Sequence, residues 1–184
     1  MLKTEGKKGC YMIIAVMSDS HDNIWNLRKA LTIIKKQNAK MIIHCGDFIA
    51  PFILMELDQS GIPVHGVFGN NDGDKYLLTK LSLTSLTNIT FYDPVGFVDI
   101  GGFKIGFTHH GIVGEGLAAG GNFNIVCFGH SHEYFFKKID RTILLNPGEI
   151  MGKEGHPSFC LVDTGTAKVE KIELKGTWIM PNNK

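Results

Sequence analysis

The apolar positions of the chain fall into short runs of strand length, and polar residues crowd the points where those runs stop. Met12 to Met17 is apolar throughout and ends in Ser18-Asp19-Ser20-His21. Between Asn23 and Gln37 the apolar residues Ile24, Leu27, Leu31 and Ile34 recur at intervals of three and four, which predicts an amphipathic helix capped by Asp22 or Asn23. Lys40 to Cys45 returns to a run of strand length and closes on Gly46-Asp47. Pro51 suits the first turn of a second helix reaching Gln59, and Pro63 to Phe68 is a third strand that closes on Gly69-Asn70-Asn71-Asp72. Strands that alternate with helices in this way are joined by right-handed crossovers, so the three strands should lie parallel with their carboxyl ends on one edge.

Beyond Asp74 a polar Ser/Thr/Leu segment carries no clear period, and a series of short runs follows: Val95 to Ile100, Phe103 to Phe107, Ile125 to Phe128, Tyr134 to Ile139, Thr142 to Leu145, Phe159 to Val162 and Val169 to Leu174. Gly101-Gly102 and Asp140-Arg141 read as hairpin turns, which predicts a second, more antiparallel sheet here. Two of these runs end in imidazoles, Phe107-Thr108 in His109-His110-Gly111 and Cys127-Phe128 in Gly129-His130-Ser131-His132. The glycine-rich stretch from Gly111 to Gly121 reads as a mobile loop with at most one helical turn.

Composition limits the classes of function. With 184 residues, 43% of them hydrophobic, the chain suits one well-buried core, so a single domain over 12–184 is expected. Residues 1–11, polar and without apolar period, read as an N-terminal extension. Nineteen basic against eighteen acidic residues create no strong field toward nucleic acid or an anionic membrane surface. The four cysteines are far apart with no Cys-x-x-Cys pair, so reduced thiols fit better than a disulfide framework or a zinc knuckle. No apolar run approaches the roughly 20 residues of a membrane helix, and the N-terminus lacks the apolar segment of a signal peptide. A soluble, cytoplasmic protein is expected, with the oligomeric state, homo-oligomers included, left open. The absence of Gly-x-x-x-x-Gly-Lys-Ser/Thr argues against a nucleotide-driven switch.

The residues at the strand ends carry the chemistry. Asp19, His21, Asp47, Asn70, His109, His130 and His132 each follow an apolar run, and each offers oxygen or imidazole nitrogen. Taken singly, such a residue is a helix cap or an ordinary hydrogen-bonded polar group. Asp19 and His21, two apart in extended backbone, would point to the same side and could grip one ion. The donor set contains no sulfur, which suits Mn²⁺, Fe²⁺, Zn²⁺, Ni²⁺ or Mg²⁺. Seven ligands exceed the need of one tetrahedral ion and suit two ions that share a carboxylate.

In order along the chain, Asp-x-His, Gly-Asp, Gly-Asn-x-Asp, Thr-His and Gly-His-x-His resemble the motifs of the calcineurin-like metallophosphoesterases, especially their small bacterial and archaeal phosphodiesterase branch. The resemblance spans Met12 to about Leu174. It implies an α/β four-layer sandwich, two mixed β-sheets flanked by helices, and two divalent ions per chain, with Mn²⁺ the first expectation. Carried over position by position, it assigns Asp19, His21 and His132 to one ion, Asn70, His109 and His130 to the other, and Asp47 as the bridge. The implied activity is hydrolysis of a small phosphate ester, as a phosphodiesterase, by in-line attack of a metal-bridging hydroxide. The alternative is a protein-binding scaffold of the same fold, like the related retromer subunit, with a residual metal site.

Three positions depart from the family pattern. Many members carry histidine where this chain has Asn71, placed there to protonate the departing oxygen. His109-His110-Gly111 shifts the second imidazole of a common His-Gly-His block by one position. Asn146-Pro147-Gly148, a turn common in the branch, continues here with Glu149 in place of the usual serine. Asn71, Asp72 and His110 are accordingly the candidates for the remaining catalytic roles, with Asp72 expected to orient a loop or ligand groups. His44, His65 and His156 are read as structural or exposed.

Overall fold

The computed structural model describes residues 11–176 of the chain, so residues 1–10 of the expected extension lie outside the described residues. In order, the elements are β1 (Ile13–Met17), α1 (Ile24–Lys36), β2 (Met41–His44), α2 (Pro51–Gln59), β3 (Val64–Val67), α3 (Lys75–Thr84), β4 (Ile89–Tyr92), β5 (Val95–Ile100), β6 (Phe103–Thr108), α4 (Gly111–Ala119), β7 (Ile125–Cys127), β8 (Tyr134–Ile139), β9 (Thr142–Pro147), β10 (Ser158–Asp163) and β11 (Lys168–Glu173). They form a six-stranded sheet of order β11-β10-β1-β2-β3-β4 and a five-stranded sheet of order β5-β6-β7-β9-β8.

The unbroken apolar runs are explained by burial on both faces of each sheet. Along β1, Ala15 and Met17 enter a core shared with Leu27, Leu31 and Ile34 of α1 and Ile53, Leu54 and Leu57 of α2. Ile14 and Val16 point the other way, into a core between the sheets with Ile105, Phe107, Ile125, Cys127 and Leu145. A third cluster seats Ala118 of α4 on Val126, Phe128 and Leu144. Helix, sheet, sheet and helix thus stack as four layers over three apolar interfaces. Both sheets are mixed: β1 to β4 run parallel, β10 pairs antiparallel with β1 and β11 antiparallel with β10, while β6, β7 and β9 run parallel between antiparallel edges β5 and β8.

Four local readings need correction. The polar segment after Asp74 is helix α3, started by the Asp74 side chain, which accepts from Leu77 N; only Leu78 of this helix is buried, so an apolar period was never required. The four residues of β4 add a further parallel strand beside β3. β10 and β11 belong to the first sheet instead of the second, because Phe159 and Leu161 complete the helix-side core while Cys160 and Val162 complete the inter-sheet core. The stretch expected as a mobile loop is helix α4, whose glycines bring its backbone close against the second sheet; a Cβ at Gly111 would sit 3.1 Å from the Phe128 ring. The two expected hairpins are present, with Ile100 opposite Phe103 and Ile139 opposite Thr142.

Beyond the strand ends the loops are tied to one another. The parallel β1–β2 ladder continues as Asp19 N to Gly46 O, His21 N to Asp47 O and Asp22 N to Phe48 O, at 3.0, 3.1 and 3.3 Å. Asp72, 6% exposed, binds the next loop pair: Oδ1 accepts from Phe48 N and Ile49 N at 2.7 and 2.8 Å, and Oδ2 from Asp47 N and Gly69 N at 3.1 and 2.6 Å. Replacing one of these oxygens by an amide NH₂ turns acceptor into donor and orphans buried N–H groups. Asp72→Asn should therefore cost about 2–4 kcal/mol, lowering the melting temperature of the metal-free protein by roughly 4–16 °C. An unchanged midpoint in a thermal scan would refute this role.

Candidate metal centre

The loops after β1, β2 and β3 of one sheet and β6 and β7 of the other converge at a shared edge, and each carries one or two of the seven candidate ligands. Asp19, His21, Asp47 and His132 bring one ligand atom apiece within 4.8 Å of one another. His21 Nε2 lies 3.2 Å from Asp47 Oδ2 and 3.9 Å from Asp19 Oδ1, and His132 Nε2 lies 3.5 Å from Asp19 Oδ1. A second group forms around Asn70, whose Oδ1 is 2.8 Å from both His109 Nε2 and His130 Nδ1. Asp47 Oδ2 is also 3.6 Å from His109 Nε2, so this one carboxylate oxygen faces both groups.

The backbone achieves this by leaving the extended conformation. Asp19, His21, Asp47, His130 and His132 have φ of 52°, 41°, 59°, 70° and 64°, in the left-handed region. The juxtaposition of Asp19 and His21 therefore does not come from strand alternation, as their spacing suggested; two left-handed residues and the hydrogen bonds to the β2 loop turn both side chains inward. The motif glycines are required by the same crowding. A Cβ at Gly69 would fall on the Asp47 carboxylate and one at Gly129 on the Ser18 hydroxyl.

The donor atoms are electron-rich, and Asp19, Asp47 and His109 are buried while Asn70 and His130 stand exposed. Asp19 and Asp47 are fully shielded from solvent, and among the described residues their ion-pair partners are imidazoles. His21 Nε2 is buried without an aligned hydrogen bond. Burial alone would lower the pKa of His21, but the carboxylates of Asp19 and Asp47 outweigh it and raise it to about 9. Asp47 is held well below the usual carboxylate range: burial works against this, and the His21 imidazole and the Asn71 side chain and backbone amide overcome it. His109 Nδ1 meets the Cys45 carbonyl at 2.7 Å; a neutral ring donating there presents a bare Nε2 to Asn70 Oδ1 and Asp47 Oδ2. Converging lone pairs and buried carboxylates of this kind fit divalent cations.

Around the ligands stands a set of orienting contacts. Glu149, buried at 1% exposure, places Oε2 2.6 Å from His132 Nδ1, and this hydrogen bond raises the His132 pKa. Its Oε1 accepts from Glu154 N and Gly155 N at 2.7 and 3.1 Å. The sequence showed Glu149 as a departure from pattern but not its role, since 17 residues separate it from His132. Asn71 grips Asp47 twice, backbone N to Oδ1 and side-chain Nδ2 to Oδ2, both at 2.8 Å. His110 caps α4 and stands exposed beside the second group, its ring centre 5.0 Å from that of His109 and 4.8 Å from that of His130. Burial, His109 and His130 lower its pKa.

The other polar residues near the site are structural. His44 is fully buried, stacked on Phe48 at 3.8 Å and 3.1 Å from Ser20 Oγ, and burial pushes its pKa down to about 3. His65 meets the Tyr92 hydroxyl at 2.9 Å. The Asn23 side chain caps α1 by accepting from Asn26 N, and Asp22 accepts from Ala50 N.

Residues 12–167 match the sequence model of the calcineurin-like phosphoesterase superfamily domain. Phosphodiesterase MJ0936 of Methanocaldococcus jannaschii is 34% identical over 167 residues, which cover 89% of this chain and all of that protein. The solved structure of an archaeal phosphodiesterase, also 34% identical, superposes with a TM-score of 0.81 over 89% of this chain and 100% of that one. Vacuolar protein sorting 29 of Cryptosporidium parvum, at 19% identity over 89% of this chain and 98% of its own, shares the fold with a TM-score of 0.64. With its four layers, its ordered strand-end motifs and this match over most of its length, the chain belongs to the calcineurin-like phosphoesterase superfamily.

Proposed function

We propose that the protein is a phosphodiesterase that works with two divalent metal ions, Asp19, His21 and His132 holding one, Asn70, His109 and His130 the other, and Asp47 both. The observation that carries this reading is Asp47 Oδ2, which faces His21 at 3.2 Å and His109 at 3.6 Å. The kinship with an archaeal phosphodiesterase supports the reaction class. A complete and pre-oriented donor set, with both carboxylates buried, favours catalysis over the scaffold alternative. Bound ions supply a low pKa for coordinated water and neutralise charge on the phosphoryl oxygens.

The chain's own groups do the rest. Glu149 orients His132 and the Cys45 carbonyl orients His109, each through the ring Nδ1, so these two imidazoles need no reorganisation when ligand binds. Asn71 fixes the plane of the Asp47 carboxylate. Its amide cannot release a proton near neutral pH, and burial, His109 and His130 lower the His110 pKa, which leaves little of that imidazole protonated there. Mn²⁺ is the first ion to test against Ni²⁺, Fe²⁺, Zn²⁺ and Mg²⁺, since all accept this oxygen and nitrogen set. Cys45, Cys127 and Cys160 are buried and unpaired, which supports a reducing, cytoplasmic setting; among the described residues no helix is long and apolar enough to cross a membrane.

Metal analysis after anaerobic reconstitution should approach two ions per chain, and Asp47→Asn should lower both the metal content and the turnover, the latter by more than about 100-fold. Saturation of the native protein at one ion would overturn the shared-carboxylate assignment.

The pKa of His21 sets a pH profile for metal uptake. Below about 9 the metal-free imidazole carries a proton that an incoming ion must displace. Affinity at this group should therefore rise with pH, by about tenfold per unit, and level off above that value. Calorimetric titrations between pH 6.5 and 9.5 check it, and a flat profile would show that His21 is not a ligand.

A general acid typically contributes about 10² to 10⁴-fold by protonating the departing oxygen. Without one, the rate should depend steeply on the leaving-group pKa across a series of aryl and alkyl phosphodiesters, and Asn71→His should flatten that slope. A shallow slope in the native enzyme would identify a donor elsewhere.

A further inference from the structure

β8 is the outer strand of the second sheet, paired with β9 on one side and, among the described residues, with no strand on the other. Its sequence, Tyr134-Phe135-Phe136-Lys137-Lys138-Ile139, sets three aromatic rings before two lysines, and all but Ile139 are exposed. An uncovered edge strand with an apolar surface is a template for a further strand. Lysines on an edge ordinarily repel one, but here they fill only its second half.

The hydrogen-bonding groups of this edge can be assigned residue by residue. Tyr134 stands opposite Pro147, which has no N–H, so these two are not a mutually bonded pair. Bonded and unbonded pairs alternate in an antiparallel ladder. Phe135, Lys137 and Ile139 therefore bond to β9, while Tyr134, Phe136 and Lys138 turn their N–H and C=O groups outward. The two-residue turn that closes the hairpin between Ile139 and Thr142 agrees with this alternation.

A second copy of β8 can pair with the first only where outward-facing residues stand opposite one another, so the two-fold axis must pass through a residue. Two registers engage five residues of each strand. Centred on Lys137, the axis sets ammonium against ammonium in a closely spaced, unbonded pair, and like charges directly opposite are destabilising. Centred on Phe136, it sets that ring against its own copy, Phe135 against Lys137, and Tyr134 against Lys138, and every outward N–H and C=O group is bonded. Rings then meet rings or cations, which attract them. Tyr134, whose ring already carries the Lys171 ammonium 5.0 Å from its centre, contributes backbone bonds.

We propose that the protein forms a two-fold dimer through β8, in the register centred on Phe136, which joins the second sheets of two copies into one continuous sheet. The occupant is a second copy because the order of rings and then lysines is complementary to itself when reversed.

Sedimentation equilibrium on the full chain, with and without Mn²⁺, should give twice the chain mass at micromolar concentrations. Phe136→Asp sets two carboxylates face to face on the axis and should weaken association by about 30-fold or more, whereas Phe136→Tyr should retain it. Phe136 is 48% exposed, so its replacement should leave the far-ultraviolet circular dichroism of the monomer unchanged. Oxidation reads the register in a Cys10→Ser background, since Cys45, Cys127 and Cys160 are buried. Phe136→Cys should give a disulfide-linked dimer, because a bonded pair holds its Cα atoms about 5.5 Å apart, within disulfide reach. Lys137→Cys, two residues out of step with its own copy, should not. If Phe136→Asp fails to fold, this cross-link decides. A native chain that stays monomeric, whether its own residues 177–184 or another protein cover the edge, would overturn the proposal. So would a dimer that a folded Phe136→Asp variant retains, or cross-linking through Lys137→Cys in preference to Phe136→Cys.

Discussion

The centre depends on holding five ligand-bearing residues in left-handed backbone at the ends of strands. Such conformations cost on the order of 1–3 kcal/mol each for residues with a side chain, and they persist only where neighbouring contacts over-determine them. Here the contacts are the β1–β2 ladder carried past the strand ends and the Asp72 carboxylate, which gathers four N–H groups from two loops. Ile49, a β-branched residue at φ 82°, is held by Asp72 at its N–H and by Gly73 N at its carbonyl. Asp72 is thus a structural anchor whose two oxygens are spent on backbone.

Once the loops are fixed, electrostatics dictates the rest. Two carboxylates without solvent contact are stable only beside compensating positive charge. Without metal, His21 supplies part of it by taking a proton, which is why its pKa stands at about 9 while that of Asp47 falls. The same geometry that forces the imidazole to carry a proton makes the cluster a receptor for cations. On the proposed assignment proton and metal would compete for one position, with pH deciding between them.

The environment beyond the ligands links the metal centre to its surroundings. Glu149 divides its two oxygens between His132 and the loop around Glu154 and Gly155, so neither can shift without the other. Asn71 spends its amide on Asp47, and the His110 ring stands against those of His109 and His130. Vacuolar protein sorting 29 shares the fold, and a fold by itself does not specify catalysis. The ligand set and its orientation are what separate the readings.

Asp19, His21, Asp47, Asn70, His109, His130 and His132 were legible in the sequence because each sits a fixed, short distance after an apolar run, and that spacing is a local property of the chain. The first three strands, α1, α2 and both hairpins were legible for the same reason. Helix α3 was not, since it buries only Leu78, nor α4, whose glycines conceal a helix that only its packing on Phe128 reveals. The sheet that β10 joins was decided by which cores its two faces complete. The partnership of Glu149 with His132, the double grip of Asn71 on Asp47 and the place of His110 beside the second group arise between residues distant in the chain or turned by the backbone. A sequence records how far a residue lies from the end of its strand. Which side chains then meet across strand ends is set by register, sheet order and left-handed turns, and only the tertiary structure decides those.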